Sequence, residues 1–329
     1  MLARYNNLNI VVKKSNQLSE NEWSLYTEAF NEVFNKHYLL NHFKQKYLTT
    51  VDNCSYHAIL IQNEKIVGSC SAIPYQYFLN NQIIRIALIV DLFILESYRS
   101  NPYTVYNLYK KLKEYLKKKN ITLIVAVPND MAYPYWKNVV KWKDIGCLDY
   151  FALPINVANI TKNGLKILNR FSKLAATILL TFSRFIISTE KNQKIRINRD
   201  IAAIEKQRYT EDHKIIKSGK SYFSYRIVNE DNVKACYLID FYNIDKKKRD
   251  SFSLYEAVKY IKSKEEIDLI IFVGKLSFLQ CVLIRVPFKM EPKHLYLMTD
   301  ILIPDNIKNT DLIYNMKNWD FGLYNYDVR

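Results

Sequence analysis

The stretch that decides the architecture is residues 89–151, IVDLFILESYRSNPYTVYNLYKKLKEYLKKKNITLIVAVPNDMAYPYWKNVVKWKDIGCLDYF. Its first residues close an apolar run over 84–95 that reads as a strand. An Arg-containing turn follows, Tyr98-Arg99-Ser100-Asn101-Pro102, and leads into a basic amphipathic helix over 104–119. A second apolar strand covers 121–127, Pro128-Asn129 opens a helix over 132–141, and residues 147–153 make a further strand. A strand that delivers a turn and then a helix start aims backbone N–H groups and the positive end of the helix dipole at one point. That is the usual geometry for holding a diphosphate.

Working outward, residues 19–48 carry helical periodicity. Ser19 and Glu22 have capping-box spacing, and Trp23, Tyr26, Phe30, Phe34 and Tyr38 recur at three and four. Strands follow at 57–62 and 66–73 around the turn Asn63-Glu64-Lys65, and Asn80-Asn81 reads as a hairpin turn into the strand ending at residue 95. The order predicts an α/β chain (α+β mixed sheet). Residues 222–227, 233–242, 267–273 and 295–302 read as strands, with a helix over 253–262. This second unit echoes the first without an Arg turn before its helix, a weak internal repeat. The expected domains are 1–156 and 216–329, joined by a basic amphipathic helical linker over 157–215.

At 329 residues the chain is long enough for two cores, and 49% apolar with 24% charged residues is the balance of a folded protein. Only 6 glycines occur, so no glycine-rich phosphate loop is available. The net charge is +16, and between residues 160 and 188 there are five bases (Lys162, Lys166, Arg170, Lys173, Arg184) and no acid. Leu168, Phe171, Ala175, Ile178, Phe182 and Phe185 form an apolar seam in the same stretch. It reads either as a helix packed between domains or as a basic amphipathic helix lying on an anionic membrane. CoA phosphates, nucleotide-bearing substrates, anionic lipid and RNA all suit such a field, and nucleic acid is the least expected of them.

Five cysteines without CxxC spacing read as buried thiols of a cytoplasmic protein. Residues 1–14 lack the apolar core of a signal peptide, and no run reaches the length of a bilayer span. The five histidines have no ligand spacing, and no zinc, Walker or Gly-x-Ser-x-Gly motif occurs, so no metal is expected. Lys117-Lys118-Lys119 and Lys246-Lys247-Lys248-Arg249 read as solvated turns.

Asp91-Leu92-Phe93-Ile94 leading to Arg99 and a helix resembles the fourth strand and pyrophosphate turn of the GCN5-related N-acyltransferases. Pro128-Asn129-Asp130-Met131-Ala132-Tyr133-Pro134-Tyr135-Trp136 resembles their fifth-strand exit and fourth helix. Tyr222-Phe223-Ser224-Tyr225-Arg226 and the ending from Asn318-Trp319 to Asp327 are similar to bacterial tandem-domain members associated with surface-polysaccharide biosynthesis. The resemblance implies a V-shaped splay between the fourth and fifth strands. It also implies an acyl-CoA cosubstrate, most simply acetyl-CoA, whose pantetheine pairs with the backbone at Phe93 and Ile94. Its phosphates would lie at Arg99, Ser100, Asn101, Tyr103 and Thr104, with Asn129 and Trp136 along the arm.

Asp91 would handle the acceptor amine, and Tyr135 is the candidate proton donor to the departing thiolate. The family's small turn residues are replaced by Ser100, Pro102 and Thr104, and Pro102 has no N–H to offer. Each role has a structural counterpart: Asp91 paired with an internal base such as Arg85, Asn129 as an N-cap, Tyr135 and Trp136 as core. The implied activity is N-acylation of an amino sugar, nucleotide- or lipid-linked, at the inner face of the membrane. The alternatives are an aminoacyl-tRNA-dependent peptidyl transferase, whose usual long helical arm is not seen, and an inactive membrane-associated scaffold.

Overall fold

The computed structural model describes residues 8–101, 103–161, 166–190, 193–201 and 204–326. Two compact units result, and each is discontinuous in sequence. Unit 1 comprises Met1–Ile145, Ile197–Arg208 and Leu297–Tyr314; unit 2 comprises Gly146–Arg196, Tyr209–Tyr296 and Asn315–Arg329. The sequence reading drew contiguous domains at 1–156 and 216–329. Among the described residues, those of 157–196 fall in unit 2 and those of Ile197–Arg208 in unit 1, so the stretch read as a linker is divided between the two units.

In unit 1, β1 (Asn9–Lys14), β2 (Tyr56–Gln62), β3 (Lys65–Leu79) and β4 (Gln82–Ile94) pair antiparallel in that order. β4 then pairs parallel with β5 (Leu123–Ala126). The sheet continues with β13 (Leu295–Ile301), antiparallel to β5, a strand supplied from the far end of the chain. The helices are α1 (Glu20–Phe34), α2 (Leu40–Leu48), α3 (Tyr103–Lys118) and α4 (Tyr133–Asn138). The single helix expected over 19–48 is two. Its start has the expected capping box at Ser19 and Glu22, but Asn35 takes a left-handed backbone (φ 49°) that ends α1. Asn tolerates that conformation better than most residues. Trp23, Tyr26 and Phe30 are buried as the periodicity required, whereas Phe34 and Tyr38, beside the break, are exposed. β3 outruns its expected end at Ile73 by six residues, and α4 is shorter than expected at both ends.

Unit 2 repeats the order. β8 (His213–Ser218), β9 (Ser221–Glu230) and β10 (Val233–Asn243) are antiparallel, and β10 is parallel to β11 (Leu269–Gly274). β11 is antiparallel to β6 (Lys143–Pro154), which comes from the first half of the chain. α6 (Ile167–Ser183) and α8 (Ser251–Lys264) cover a core that includes Leu153, Leu180, Phe223, Leu254, Ile261 and Phe272. The short elements α5 (Val157–Thr161), β7 (Ile195–Ile197), α7 (Ile204–Arg208) and β12 (Ile284–Arg285) complete the numbering. The architecture is the mixed α/β sheet expected. Among the described residues, no helix is long and apolar enough to cross a membrane.

Candidate active site

The parallel pairing of β4 with β5 runs from Ile86–Leu88 against Leu123–Val125. β4 continues six residues past Leu88 and β5 ends at Ala126, so β4 runs on beyond its pairing with β5. On its other edge β4 stays paired with β3, but the register slips: Ser69 faces Phe93 while Ser71 faces Val90. Asp91 and Leu92 therefore stand opposite Cys70 alone, a β-bulge, and Asp91 adopts φ 48°. A bulge bends its strand and re-aims a side chain. Here it turns the Asp91 carboxylate onto α2.

Lys46 Nζ reaches the two carboxylate oxygens of Asp91 at 2.7 and 2.9 Å, and the Tyr47 hydroxyl donates to one of them. Arg85, the base suggested as its partner, instead binds Asp52 and donates to the Lys119 carbonyl at 2.8 Å. Burial by itself would raise the Asp91 carboxyl; the Lys46 charge and the hydrogen bonds from Lys46 and Tyr47 outweigh it and hold the group below the usual carboxylate range. Behind this pair runs a buried polar chain. The hydroxyls of Tyr47 and Tyr26 lie 3.1 Å apart, Tyr26 is 3.1 Å from Ser71 Oγ, and Ser71 Oγ is 2.8 Å from His57 Nδ1. His57 Nε2 lies 2.9 Å from Ser15 Oγ. Burial pushes the His57 imidazole down to about 3, so it is neutral at physiological pH. Burial, then the Asp91 charge, raises both tyrosines, which stay protonated.

None of Lys46, Tyr47, Tyr26, Ser71 or His57 was singled out from sequence as functional. Their signal was faint: polar Ser69 and Ser71 inside an otherwise apolar strand, and a histidine opening another.

Arg99 is exposed, and its Nε donates to the Ile94 carbonyl at 2.8 Å, which leaves the two terminal nitrogens for an anion. At the start of α3, Asn101 takes two amides for itself. Its Oδ1 accepts from Tyr103 N–H at 2.9 Å and its carbonyl from Thr104 N–H at 3.1 Å. Tyr103 is exposed and Thr104 buried. Ser100 is exposed beside Arg99, and Pro102 lies outside the described residues. Phe93 is buried with its ring against Tyr26 and Phe30, at 5.3 and 5.8 Å. Asn129 caps the turn into α4, its Oδ1 accepting from Ala132 N–H at 2.8 Å. Tyr135 is half-buried with its phenol raised by burial. Trp136 is buried between Tyr109 and Trp142, at ring distances of 5.3 and 4.7 Å. The structure thus groups Asp91, Phe93 and Ile94 on one strand with Arg99 at its exit, and places Trp136 in an aromatic core. Among the described residues, no three His, Cys, Asp or Glu side chains are grouped to hold a metal.

Unit 2 has a similarly short parallel pairing. β10 pairs with β11 only over Ala235–Leu238, bulges at Ile239 and presents Asp240. Asp240 binds Arg249, which is fully buried rather than the solvated base expected of the run 246–249. Arg249 also binds Asp320 at 2.7 Å and lies against the rings of Phe241 and Phe272 at 5.7 and 5.2 Å. At the start of α8, Asp250 Oδ1 accepts from Ser253 N–H at 2.7 Å, a carboxylate in the place an anion would need. The end of β11 is taken by the C-terminal segment, with Lys275 N–H on the Phe321 carbonyl at 3.1 Å. Gly274 allows that approach: a Cβ there would stand 2.7 Å from the Phe321 oxygen. A cavity of about 700 Å³ elsewhere in unit 2, bordered by Asn156, Lys234 and Asp268, touches none of the expected site residues.

No family model matches the chain in sequence, and no curated protein does. Solved structures do match. A GCN5-related N-acetyltransferase from Anabaena variabilis aligns over 89% of this chain and 73% of its own, at 12% identity and TM-score 0.55. A GCN5-related N-acetyltransferase from Kribbella flavida aligns over 91% and 72%, at 9% identity and TM-score 0.56. Saccharomyces cerevisiae N-myristoyltransferase with bound myristoyl-CoA aligns over 88% and 82%, at 10% identity and TM-score 0.50. The chain has the fold of the GCN5-related N-acetyltransferases.

Proposed function

We propose that the chain is an acyl-CoA-dependent N-acyltransferase whose working cleft lies in unit 1. The observation that carries this reading is the combination of a β4 edge that runs on past β5 with a bulge that bears an ionised carboxylate, Asp91. Unit 2, with Arg249, Asp240, Asp320 and Asp250 in the corresponding places, is assigned no cosubstrate.

The cosubstrate supplies an activated thioester. The chain's part is to position and to manage charge. The terminal nitrogens of Arg99 and the remaining amides at the start of α3 hold the diphosphate, while the edge of β4 near Phe93 and Ile94 pairs with the pantetheine amides. Asp91 fixes the attacking amine and offsets the positive charge that grows on its nitrogen. A carboxyl held this acidic is a weak proton acceptor, so the amine proton passes on to solvent. Tyr135, kept protonated by burial, is our candidate proton source for the leaving sulfur.

The acceptor we favour is an amino sugar, nucleotide- or lipid-linked, in cell-surface glycan assembly at the cytoplasmic face of the membrane, and acetyl is the simplest acyl group. This rests on the sequence resemblance and on the +16 charge, which suits an anionic acceptor. A second reading, an aminoacyl-tRNA donor in the same cleft, draws on that basic charge and on the two helix amides that Asn101 already occupies.

Titration of the full chain with acetyl-CoA by calorimetry and thermal shift tests the proposal. Stabilisation of about 2.7 kcal/mol is expected at a ligand concentration a hundred times Kd. Arg99→Ala should weaken binding by at least tenfold. No shift at millimolar acetyl-CoA in the parent, with retention of aminoacyl-tRNA, would transfer the assignment to the second reading.

A further inference from the structure

α6 carries apolar residues on two opposite sides. One side, with Ala176, Leu180 and Ser183, is buried against the core of unit 2. The other side presents Ile167, Phe171, Leu174, Ile178 and Phe182, each between 46% and 64% exposed. At roughly 100° per residue these five fall within an arc of about 80°, opposite the buried side. The apolar periodicity read from sequence is therefore largely a stripe turned to solvent. Phe185 and Ile187 extend it past the helix end, at 77% and 94% exposure. Two neighbours widen it. Leu279, 70% exposed, is tied to this end through its N–H on Ser188 Oγ at 3.1 Å; Phe252, 51% exposed, follows Ser251, whose Oγ donates to the Ile186 carbonyl at 2.8 Å. Exposed aromatic and aliphatic side chains gathered in this way mark an interaction surface.

Its charge indicates what covers it. Lys166, Arg170 and Lys173 line one flank of the stripe, Arg184 stands at its end, and Lys262 reaches the same flank through Thr177 Oγ1 at 2.6 Å. The chain has no Asp or Glu between residues 160 and 188. A second copy docked face to face would set bases against bases. An anionic bilayer meets both requirements: headgroup phosphates for the bases, the acyl boundary for the phenylalanines.

We propose that unit 2 binds the surface of an anionic lipid bilayer through α6, with Phe171 and Phe182 inserted at the acyl boundary and Lys166, Arg170 and Lys173 on the headgroups. This inference does not depend on the acyl-transfer reading.

The test is co-sedimentation of the full chain with vesicles of phosphatidylcholine alone or with a quarter phosphatidylglycerol, at low and high salt. The parent should pellet with the anionic vesicles, be released by high salt, and stay in solution with phosphatidylcholine. Phe171→Ser with Phe182→Ser should lower binding at least tenfold at unchanged Tm, because both side chains are exposed, and Lys166→Gln, Arg170→Gln and Lys173→Gln together should do the same. In the parent, anionic vesicles should slow hydrogen exchange over residues 167–183, a readout that needs no variant. Equal binding to both vesicle types, unaltered exchange in α6, or a parent dimer that the serine variant converts to monomer would each overturn the proposal.

Discussion

At residue 91 a left-handed backbone, a nearly buried carboxylate and a lysine coincide. The backbone conformation costs an L-residue on the order of 1 kcal/mol, and Asp and Asn bear it best. Asp91→Asn therefore keeps the bulge and removes the charge. It leaves Lys46 without its anion, at side-chain exposures of 13% and 19% for the two partners. A loss of roughly 2–4 kcal/mol is expected, somewhat under that of a fully buried pair, with about a hundredfold fall in kcat/KM. Urea denaturation and steady-state kinetics on the acetyl-CoA reaction measure the two, and a variant with parent kinetics would remove Asp91 from the chemistry.

His57, deeper in the same chain, gives a pH dependence with a definite sign. The native imidazole is neutral down to about 3, whereas the unfolded one takes a proton near its ordinary value of about 6.5. Between those limits the unfolded state binds the extra proton, so stability is full above about pH 6.5 and falls as pH drops. The charged groups acting on the ring, Asp91 and Lys46, oppose each other, which leaves burial in control. The difference in unfolding free energy between parent and His57→Gln should change by up to about 1.4 kcal/mol per pH unit from pH 6.5 to 4. A difference flat with pH would mean that the site opens to water.

At the scale of elements, what was legible in the sequence was whatever local pattern determines. Ser19 with Glu22 announced the start of α1, and Asn80-Asn81 the hairpin between β3 and β4. Apolar periodicity found α6 but did not tell which side of it faces protein, because an exposed stripe and a buried one have the same period. Asp91 was visible as an acid in an apolar strand. Its partners were not, since Lys46 and Tyr47 approach it from 45 and 44 positions away through the packing of α2. Arg249 was misread for a related reason. Three lysines precede it, and only the fold brings Asp240 and Asp320 to its guanidinium. Arg249→Ala removes the buried guanidinium that binds Asp240 on β10 and Asp320 near the end of the chain. It should lower the stability of unit 2 by about 3–5 kcal/mol while acetyl-CoA affinity stays at the parent value at a temperature where the variant is folded. Calorimetric melting with ligand titration separates the two effects, and a weakened acetyl-CoA affinity would show that the unit 2 cleft takes part in binding.

For the whole molecule, the consequence of interleaved units is that neither half of the chain holds a complete sheet. β5 needs β13, and the two meet where Thr299 Oγ1 donates to the Ile124 carbonyl at 2.8 Å, 175 positions apart. β11 in turn needs β6, joined from Leu269 against Pro154 to Gly274 against Asp149. A fragment of residues 1–156, the domain that contiguous reading would cut out, keeps β6 without β11 and β5 without β13. Both strands then expose apolar edges with unpaired N–H and carbonyl groups, the condition that drives edge-to-edge association. Pairings this distant also form late, which leaves those edges exposed during folding. The fragment should accumulate as insoluble material, or as a species that binds a hydrophobic dye and melts without cooperativity, whereas the full chain should melt with sharp transitions. A soluble monomeric 1–156 with a cooperative thermal transition would mean that the reciprocal strands are dispensable and that unit 1 closes its sheet from its own half of the chain.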